Sequence, residues 1–153
     1  MTIATRDCDL KRRFDLLRFK LKEPMTVMGR VSGSNGRTRE LSAMLDLAWH
    51  YSYILKMDAL QLGYQEVAHR PQEWASLKPN QVPYILGMRG VEICTLIMLK
   101  EVSVGSMKAN EVEAIVPEME TPPTIPVDLI LGRSFLKNFK LTVVEKHGYF
   151  SLT

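Results

Sequence analysis

Apolar residues recur at every second position in several short stretches of the chain, and turn-forming residues separate those stretches. Residues 26–31 alternate in this way, and residues 37–45 resume the alternation after the pair Asn35-Gly36. Because asparagine and glycine both tolerate positive φ, this pair is the strongest short-range signal of a β-hairpin. The sequence therefore predicts two antiparallel strands joined at Asn35-Gly36.

Three further hairpins are predicted from the same kind of pattern. In the first, a turn at residues 87–90 joins strands at 82–86 and 91–99. In the second, a turn at residues 105–110 joins strands at 101–104 and 111–116. In the third, a turn at residues 147–148 joins strands at 140–144 and 149–152. A buried strand is expected at residues 127–131, before Gly132. Short strands separated by turn signals are typical of an all-β barrel or sandwich.

Two segments favour short helices. Residues 56–62 end at Gly63, a residue type that commonly caps the C-terminus of a helix. Residues 133–139 are expected to form one or two helical turns. Residues 117–126 contain four prolines and predict a loop or an extended segment. The expected fold class is mainly β with one or two short helices.

A competing interpretation exists for residues 41–62. Most of these residues tolerate a helix, and their apolar positions also fit a single amphipathic helix in which Asp46 is a solvated residue. The order strand, loop and helix is preferred because the Asn35-Gly36 turn needs a partner strand. Tyr51, Tyr53 and Ile54 also favour β structure.

Residues 1–24 are set apart from the rest by their basic character, and residues 25–153 are expected to form the domain. The apolar residues of the first segment recur at helix-like spacing, which predicts a basic arm or a short amphipathic helix. They are Leu10, Phe14, Leu17 and Leu21. Contact of this arm with RNA or DNA is the less favoured interpretation, because no aromatic or glycine-rich RNA-binding signature accompanies it.

Composition narrows the class of protein but does not give a function. The 153 residues are 46% hydrophobic and 24% charged, which is ordinary for one globular domain and excludes fibrous and disordered chains. No apolar run approaches the roughly 20 residues of a spanning helix, and residues 1–10 lack a secretory h-region. With Cys8 and Cys94 expected as reduced thiols, the predicted location is cytoplasmic. A net charge of +3 is too small to indicate a nucleic-acid partner.

Other catalytic chemistries have no support in the sequence. His50, His69 and His147 share no metal-ligand spacing with one another or with cysteine, so no metal site is expected. The chain contains no Gly-x-Ser-x-Gly elbow and no glycine-rich phosphate-binding motif. Neither a metal nor an organic cofactor is therefore predicted.

Residues 127–139 resemble the second signature of retropepsin-like aspartic proteases. In both, a hydrophobic strand ends in Ile-Leu-Gly and enters a short helix with an aromatic-Leu pair, here Ile130-Leu131-Gly132-Arg133-Ser134-Phe135-Leu136. Residues 43–54, which contain Asp46, lie where that family carries its first signature. The resemblance spans residues 26–153.

This resemblance implies a closed β-barrel that works as a homodimer on an extended polypeptide. Asp46 from each subunit would supply one carboxylate of the catalytic dyad. The hairpin Gly87-Met88-Arg89-Gly90 would be the flap over the substrate, and Ala48 would also contact the substrate. Gly132 and Arg133 would have structural roles.

The chain departs from the family's first signature after Asp46. Leu47 stands in place of a Thr or Ser whose hydroxyl braces the two catalytic loops, Ala48 replaces a glycine, and Trp49 replaces an alanine. His50 stands where retroviral members carry a carboxylate that pairs with the residue matching Arg133.

Three functions stay open on these residues. The first is an aspartic endopeptidase, and the second is a catalytically degenerate dimer of the same fold that binds peptides or partners. The third, a small nucleic-acid-binding barrel, is the least supported. Taken alone, Asp46 at the end of an apolar strand is also compatible with a simple turn or cap residue.

Overall fold

The computed structural model describes residues 17–20, 26–68, 80–85, 91–118 and 127–153. Within these residues the protein is mainly β, as the sequence predicts. The strands are β1 (Leu17–Lys20), β2 (Thr26–Ser32), β3 (Thr38–Leu45), β4 (Ser52–Ile54), β5 (Gln81–Ile85), β6 (Val91–Val104), β7 (Met107–Pro117), β8 (Leu129–Leu131), β9 (Leu141–Val144) and β10 (Tyr149–Leu152). The helices are α1 (Lys56–Gln61) and α2 (Arg133–Leu136), and 3₁₀ turns occupy Gln65–Ala68 and Glu145–His147.

Six strands close into a barrel. Their order is β2-β3-β8-β4-β7-β6, and antiparallel pairing of β6 with β2 completes the ring, while β5 extends the sheet beyond β6. A closed sheet leaves few strand edges exposed, which protects it from pairing with other chains. The predicted closed barrel with one or two short helices is confirmed, and the described residues contain two such helices.

The strands β3 and β4, which flank Asp46 in sequence, do not pair with each other. Strand β8 lies between them, parallel to β3 and antiparallel to β4. The chain must therefore cross over the end of β8 as it passes from Leu45 to Ser52. This crossing forms the loop of residues 46–51, and it rules out a single helix over residues 41–62.

The barrel core follows the alternation of the strands. One face of β3 carries Leu41, Ala43 and Leu45 into the barrel, where they pack with α1 and with Phe135 of α2. Burying such aliphatic and aromatic side chains is the main source of stability in a domain of this size. A second, smaller cluster on the opposite face of the sheet includes Met44.

The hairpin predictions hold with two corrections to their boundaries. Gly36 has a positive φ of 79°, as the Asn35-Gly36 turn requires, and β2 pairs with β3 throughout. Residues 91–104, expected as two strands, form the single strand β6. The expected turn over residues 105–110 is shorter: Val104 pairs directly with Met107, because Gly105 at φ 60° allows a two-residue turn.

A separate three-stranded sheet has the order β1-β10-β9. Of the two alternatives predicted for residues 1–24, a basic arm or a short helix, the helix is wrong for residues 17–20, which form β1 and pair antiparallel with β10. Backbone pairing with the C-terminal strand therefore outweighs a local apolar spacing that also fits a helix. The rest of residues 1–24 lies outside the described residues, and the domain boundary near residue 25 stays a prediction.

Candidate active site

Asp46 stands at the point where β3 leaves the sheet. Its backbone N–H donates to Leu131 O at 3.1 Å, which continues the parallel pairing of β3 with β8 by one residue. The side chain then accepts a hydrogen bond at Oδ1 from the Ala48 N–H at 2.9 Å. This bond forms an Asx turn, and Trp49 N–H also donates to Asp46 O at 3.3 Å. Together the two bonds fix the carboxylate relative to the barrel. Asp46 itself is half-buried.

Gly132 allows the loop to lie directly against β8. A Cβ at this position would be 2.4 Å from Tyr51 O and 2.7 Å from Trp49 O. Its φ of −89° is ordinary for any residue, so the requirement for glycine comes from this close approach of two backbones. The structural role predicted for Gly132 is consistent with this geometry.

Arg133 ties the helix α2 to the same loop. Its backbone N–H donates to Trp49 O at 2.7 Å, and its side-chain Nε donates to Leu47 O at 3.0 Å. The guanidinium therefore orients the carbonyl of the residue next to Asp46, although the side chain is exposed. The sequence indicated a structural role for Arg133 but did not predict this backbone partner.

A buried pair of hydroxyl groups lies beneath the loop. Ser134 Oγ donates to Glu113 O at 2.7 Å and accepts from the backbone N–H of Ser52 at 2.9 Å. Ser52 Oγ lies 2.9 Å from Ser134 Oγ and accepts from Gly132 N–H at 3.2 Å. These bonds join β4, β7, β8 and α2 at one point. Sequence reasoning missed Ser134, which the sequence marks only as a small polar residue before the apolar pair Phe135-Leu136.

Leu47 occupies the tip of the loop, and 54% of its surface is exposed. Ala48 is also exposed, and its N–H serves the Asp46 carboxylate. A replacement of glycine by alanine therefore leaves this backbone donor in place. Contact of Ala48 with a substrate stays a prediction.

The flap residues Gly87, Met88, Arg89 and Gly90 lie outside the described residues. The strands that carry them are described: β5 and β6 pair antiparallel up to Ile85 and Val91. The predicted pairing of these two strands is thus confirmed, and the function of residues 87–90 as a flap stays a prediction.

A second carboxylate, Asp58, lies buried on α1 and makes an ion pair with Arg39 at 2.9 Å. Burial raises the pKa of Asp58 above its ordinary value, the Arg39 charge opposes this shift, and the nearby Asp128 charge adds to it. Arg39 also donates to the side chain of Gln61. Sequence reasoning did not single out this pair.

Over the part of the chain that the structure describes, no group of three or more His, Cys, Asp or Glu side chains is arranged to hold a metal ion. No helix in that part has the length and apolar character to span a membrane.

The architecture matches that of a crystal structure of a retropepsin-like aspartic protease from Rickettsia conorii. The TM-score is 0.55 at 16% sequence identity, over 90% of this chain and 89% of that one. The fold is retropepsin-like. A retroviral protease-like domain of Ddi1 from Leishmania major also aligns, with a TM-score of 0.49 and 17% identity over 84% of this chain and 86% of that one.

Comparison of structures detects the retropepsin-like fold, whereas comparison of sequences does not. No protein-family model and no curated protein sequence matches the chain. The resemblance of residues 127–139 to a family signature therefore identified the fold where overall sequence similarity is too low. At 16% identity the match shows the fold alone, and function has to be argued from the site.

Proposed function

We propose that the protein is a homodimeric aspartic endopeptidase that hydrolyses peptide bonds with one Asp46 carboxylate from each subunit. The observation that carries this proposal is the fixed position of Asp46, which the β8 backbone and the Ala48 N–H hold at the end of β3. The retropepsin-like fold supports it, because the Rickettsia conorii protein with this fold is described as an aspartic protease.

The proposed chemistry requires a second subunit, because the reaction uses two carboxylates and each subunit supplies one, from Asp46. Two carboxylates about 3 Å apart cannot both ionise, so they share one proton. The ionised carboxylate takes a proton from a water molecule, whose oxygen then attacks the peptide carbonyl carbon. The protonated carboxylate gives its proton to the carbonyl oxygen, so that a tetrahedral diol forms. The first carboxylate then passes the proton it took from water to the amide nitrogen, and the C–N bond breaks. The second carboxylate takes back a proton from one diol hydroxyl as the new carboxyl group forms. This reaction needs neither a metal nor an organic cofactor.

Substrate binding would use the strands around the loop. An extended polypeptide can add as a strand beside Asp46, with main-chain hydrogen bonds providing affinity and side-chain pockets providing preference. In this proposal the hairpin of β5 and β6 closes over the peptide through Gly87, Met88, Arg89 and Gly90. The interaction partner is thus a polypeptide, and cytoplasmic location stays a prediction.

The test compares the wild-type protein with Asp46→Asn on a library of unstructured peptides from about pH 3 to pH 7. The range brackets the titration of a carboxylate pair. Cleavage is expected for the wild type and about a thousandfold less for the variant, within the range for loss of a positioned acid–base group, while sedimentation gives the same dimer for both. Absence of cleavage by the wild type at every pH would reject the endopeptidase function.

A second candidate function, peptide binding without hydrolysis, is favoured by Leu47. A large apolar side chain at the exposed loop tip provides no hydroxyl for a brace between two catalytic loops. Catalytic geometry that is loose by a fraction of an ångström loses large factors in rate. For this candidate we expect an inactive wild type that still binds peptides and a Leu47→Thr, Ala48→Gly double variant that gains cleavage.

A further inference from the structure

One row of apolar side chains crosses five strands on the outer face of the barrel wall. Met44 pairs with Ile130, Ile130 with Tyr53, Tyr53 with Ile115, and Ile115 with Leu96. All five belong to the second hydrophobic cluster, whereas their sequence neighbours Leu45, Ile54 and Leu131 face the barrel core. We call these five residues the apolar platform.

The apolar platform lies next to Asp46. Residues two apart on a strand share a face, and Asp46 follows Met44 by two positions while its N–H still bonds to β8. Two residues of a strand span about 7 Å, so the platform begins at about that distance from Asp46. A peptide that lies over Asp46 therefore meets the platform with the side chain beside the scissile bond.

Trp49 packs against this platform, as do Tyr51 and Leu55. Its indole packs against the second cluster and contacts Tyr53 edge to face, with ring centroids 5.6 Å apart and an interplanar angle of 65°. The contact is of the geometry that stabilises aromatic pairs. Trp49 is also held from its backbone, since its carbonyl accepts from Arg133 N–H and its N–H donates to Asp46 O. The indole is thus anchored to the loop that carries the carboxylate.

We infer that Trp49 is a specificity-determining residue, which restricts the substrate side chain beside the scissile bond to a small one such as glycine, alanine or serine. The indole occupies the volume above the platform that a leucine or phenylalanine side chain of the substrate would fill. This inference rests on the proposed function for the location of the peptide, and Tyr53 supports the indole from below.

The experiment measures side-chain preference with and without the indole. Wild type, Trp49→Ala and Trp49→Leu are given matched extended peptides that carry Gly, Ala, Leu or Phe at one position. Both cleavage and, in the Asp46→Asn background, binding by fluorescence anisotropy of labelled peptides are recorded. Met57→Ala, which removes an exposed apolar side chain from α1, is the matched control.

We expect Trp49→Ala to improve the use of Leu and Phe relative to Ala by roughly 10- to 100-fold, the range for one side chain in an apolar pocket. Trp49→Leu should lie between wild type and Trp49→Ala, and it carries the test if Trp49→Ala does not fold. Met57→Ala should keep the wild-type preference.

The two proposals fail in different ways. If the wild type cleaves peptides and both Trp49 variants keep its preference, the inference is overturned and the endopeptidase function stands. A shift of binding preference in the Asp46→Asn background, with no cleavage by the wild type, supports the inference and rejects hydrolysis. If no protein cleaves any peptide and no Asp46→Asn protein binds one, the inference is overturned together with the endopeptidase function.

Discussion

The hydroxyl oxygens of Ser52 and Ser134 lie 2.9 Å apart in the buried space beneath the Asp46 loop. The two residues are separated by 82 positions in sequence. The pair accepts a hydrogen bond from Gly132 N–H and donates one to Glu113 O. It thereby joins β4 to β7 and to the residue that follows β8. The position of the carboxylate loop thus depends on two small hydroxyl side chains that do not touch Asp46.

Removal of one hydroxyl should destabilise the fold. Ser134→Ala takes the acceptor from Ser52 N–H and the donor from Glu113 O, and both groups are left in the interior without that partner. We expect the free energy of unfolding to fall by about 1–3 kcal/mol, the cost of unmet buried polar groups. Urea unfolding measures it, with Ser106→Ala at an exposed turn as control, expected within about 0.5 kcal/mol of wild type. Equal effects of the two variants would contradict the network's role.

Gly132→Ala should displace the loop. The added Cβ would meet two backbone oxygens, of Tyr51 at 2.4 Å and of Trp49 at 2.7 Å, and a backbone cannot rotate away as a side chain can. We expect a loss of about 1–3 kcal/mol in unfolding free energy, typical of overpacking, and loss of peptide cleavage. Thermal and urea unfolding with a peptide assay measure both.

The matched control for that variant is Gly29→Ala in β2. Its added Cβ would lie 3.1 Å from Leu129 Cδ2, the end of a side chain that can move. We expect a smaller loss of stability and unchanged cleavage for Gly29→Ala. A Gly132→Ala protein as stable and as active as Gly29→Ala would show that the loop tolerates the extra methyl group.

Local chemistry accounts for the parts of the fold that the sequence predicted. Asn35-Gly36 forms its turn because Gly36 takes a positive φ. Gly63, two residues after the end of α1, also takes a positive φ, which lets the chain leave the helix. These preferences act between near neighbours, so one sequence is enough to detect them. The compact apolar run at residues 127–131 likewise predicted a strand, and β8 occupies its last three residues, Leu129–Leu131.

Long-range pairing accounts for what the sequence did not predict. Insertion of β8 between β3 and β4 joins residues 75 to 86 positions apart, and no local preference encodes that order. The bond from Arg133 Nε to Leu47 O and the Ser134 network exist only after this insertion. Residues 17–20 show the opposite failure, since a helical spacing of apolar residues was overruled by pairing with β10.

Arg133→Lys should loosen the Asp46 loop with little loss of stability. Lysine keeps the charge but lacks the Nε–H that reaches Leu47 O in the fixed fork of a guanidinium. Because the side chain is exposed, we expect less than about 1 kcal/mol of change in unfolding free energy. Hydrogen–deuterium exchange in residues 46–49 should accelerate by up to about tenfold, in proportion to one hydrogen bond lost.

Lys137→Ala is the control for Arg133→Lys, because Lys137 is an exposed cation on the turn that follows α2. It should leave exchange in residues 46–49 at the wild-type rate. If Arg133→Lys also leaves that rate unchanged, the Arg133 side chain does not hold the loop.

Asp58 should make stability depend on pH in an unusual direction for a carboxyl group. Burial raises its pKa, so the folded protein binds this proton more tightly than the unfolded chain does. The stabilisation is fully present below the ordinary value of about 4 and is lost as the pH rises through the raised folded value. We expect Asp58→Asn to lack this decline. The unfolding free energy of the variant should therefore rise relative to that of the wild type as the pH rises from the ordinary pKa of Asp58 to its raised folded pKa.

Asp128→Asn, which removes the neighbouring negative charge, should lower the folded pKa of Asp58 and so narrow the pH range over which the stabilisation is lost. Urea unfolding at a series of pH values tests both variants, and parallel curves for wild type and Asp58→Asn would show that Asp58 titrates alike in the folded and unfolded protein.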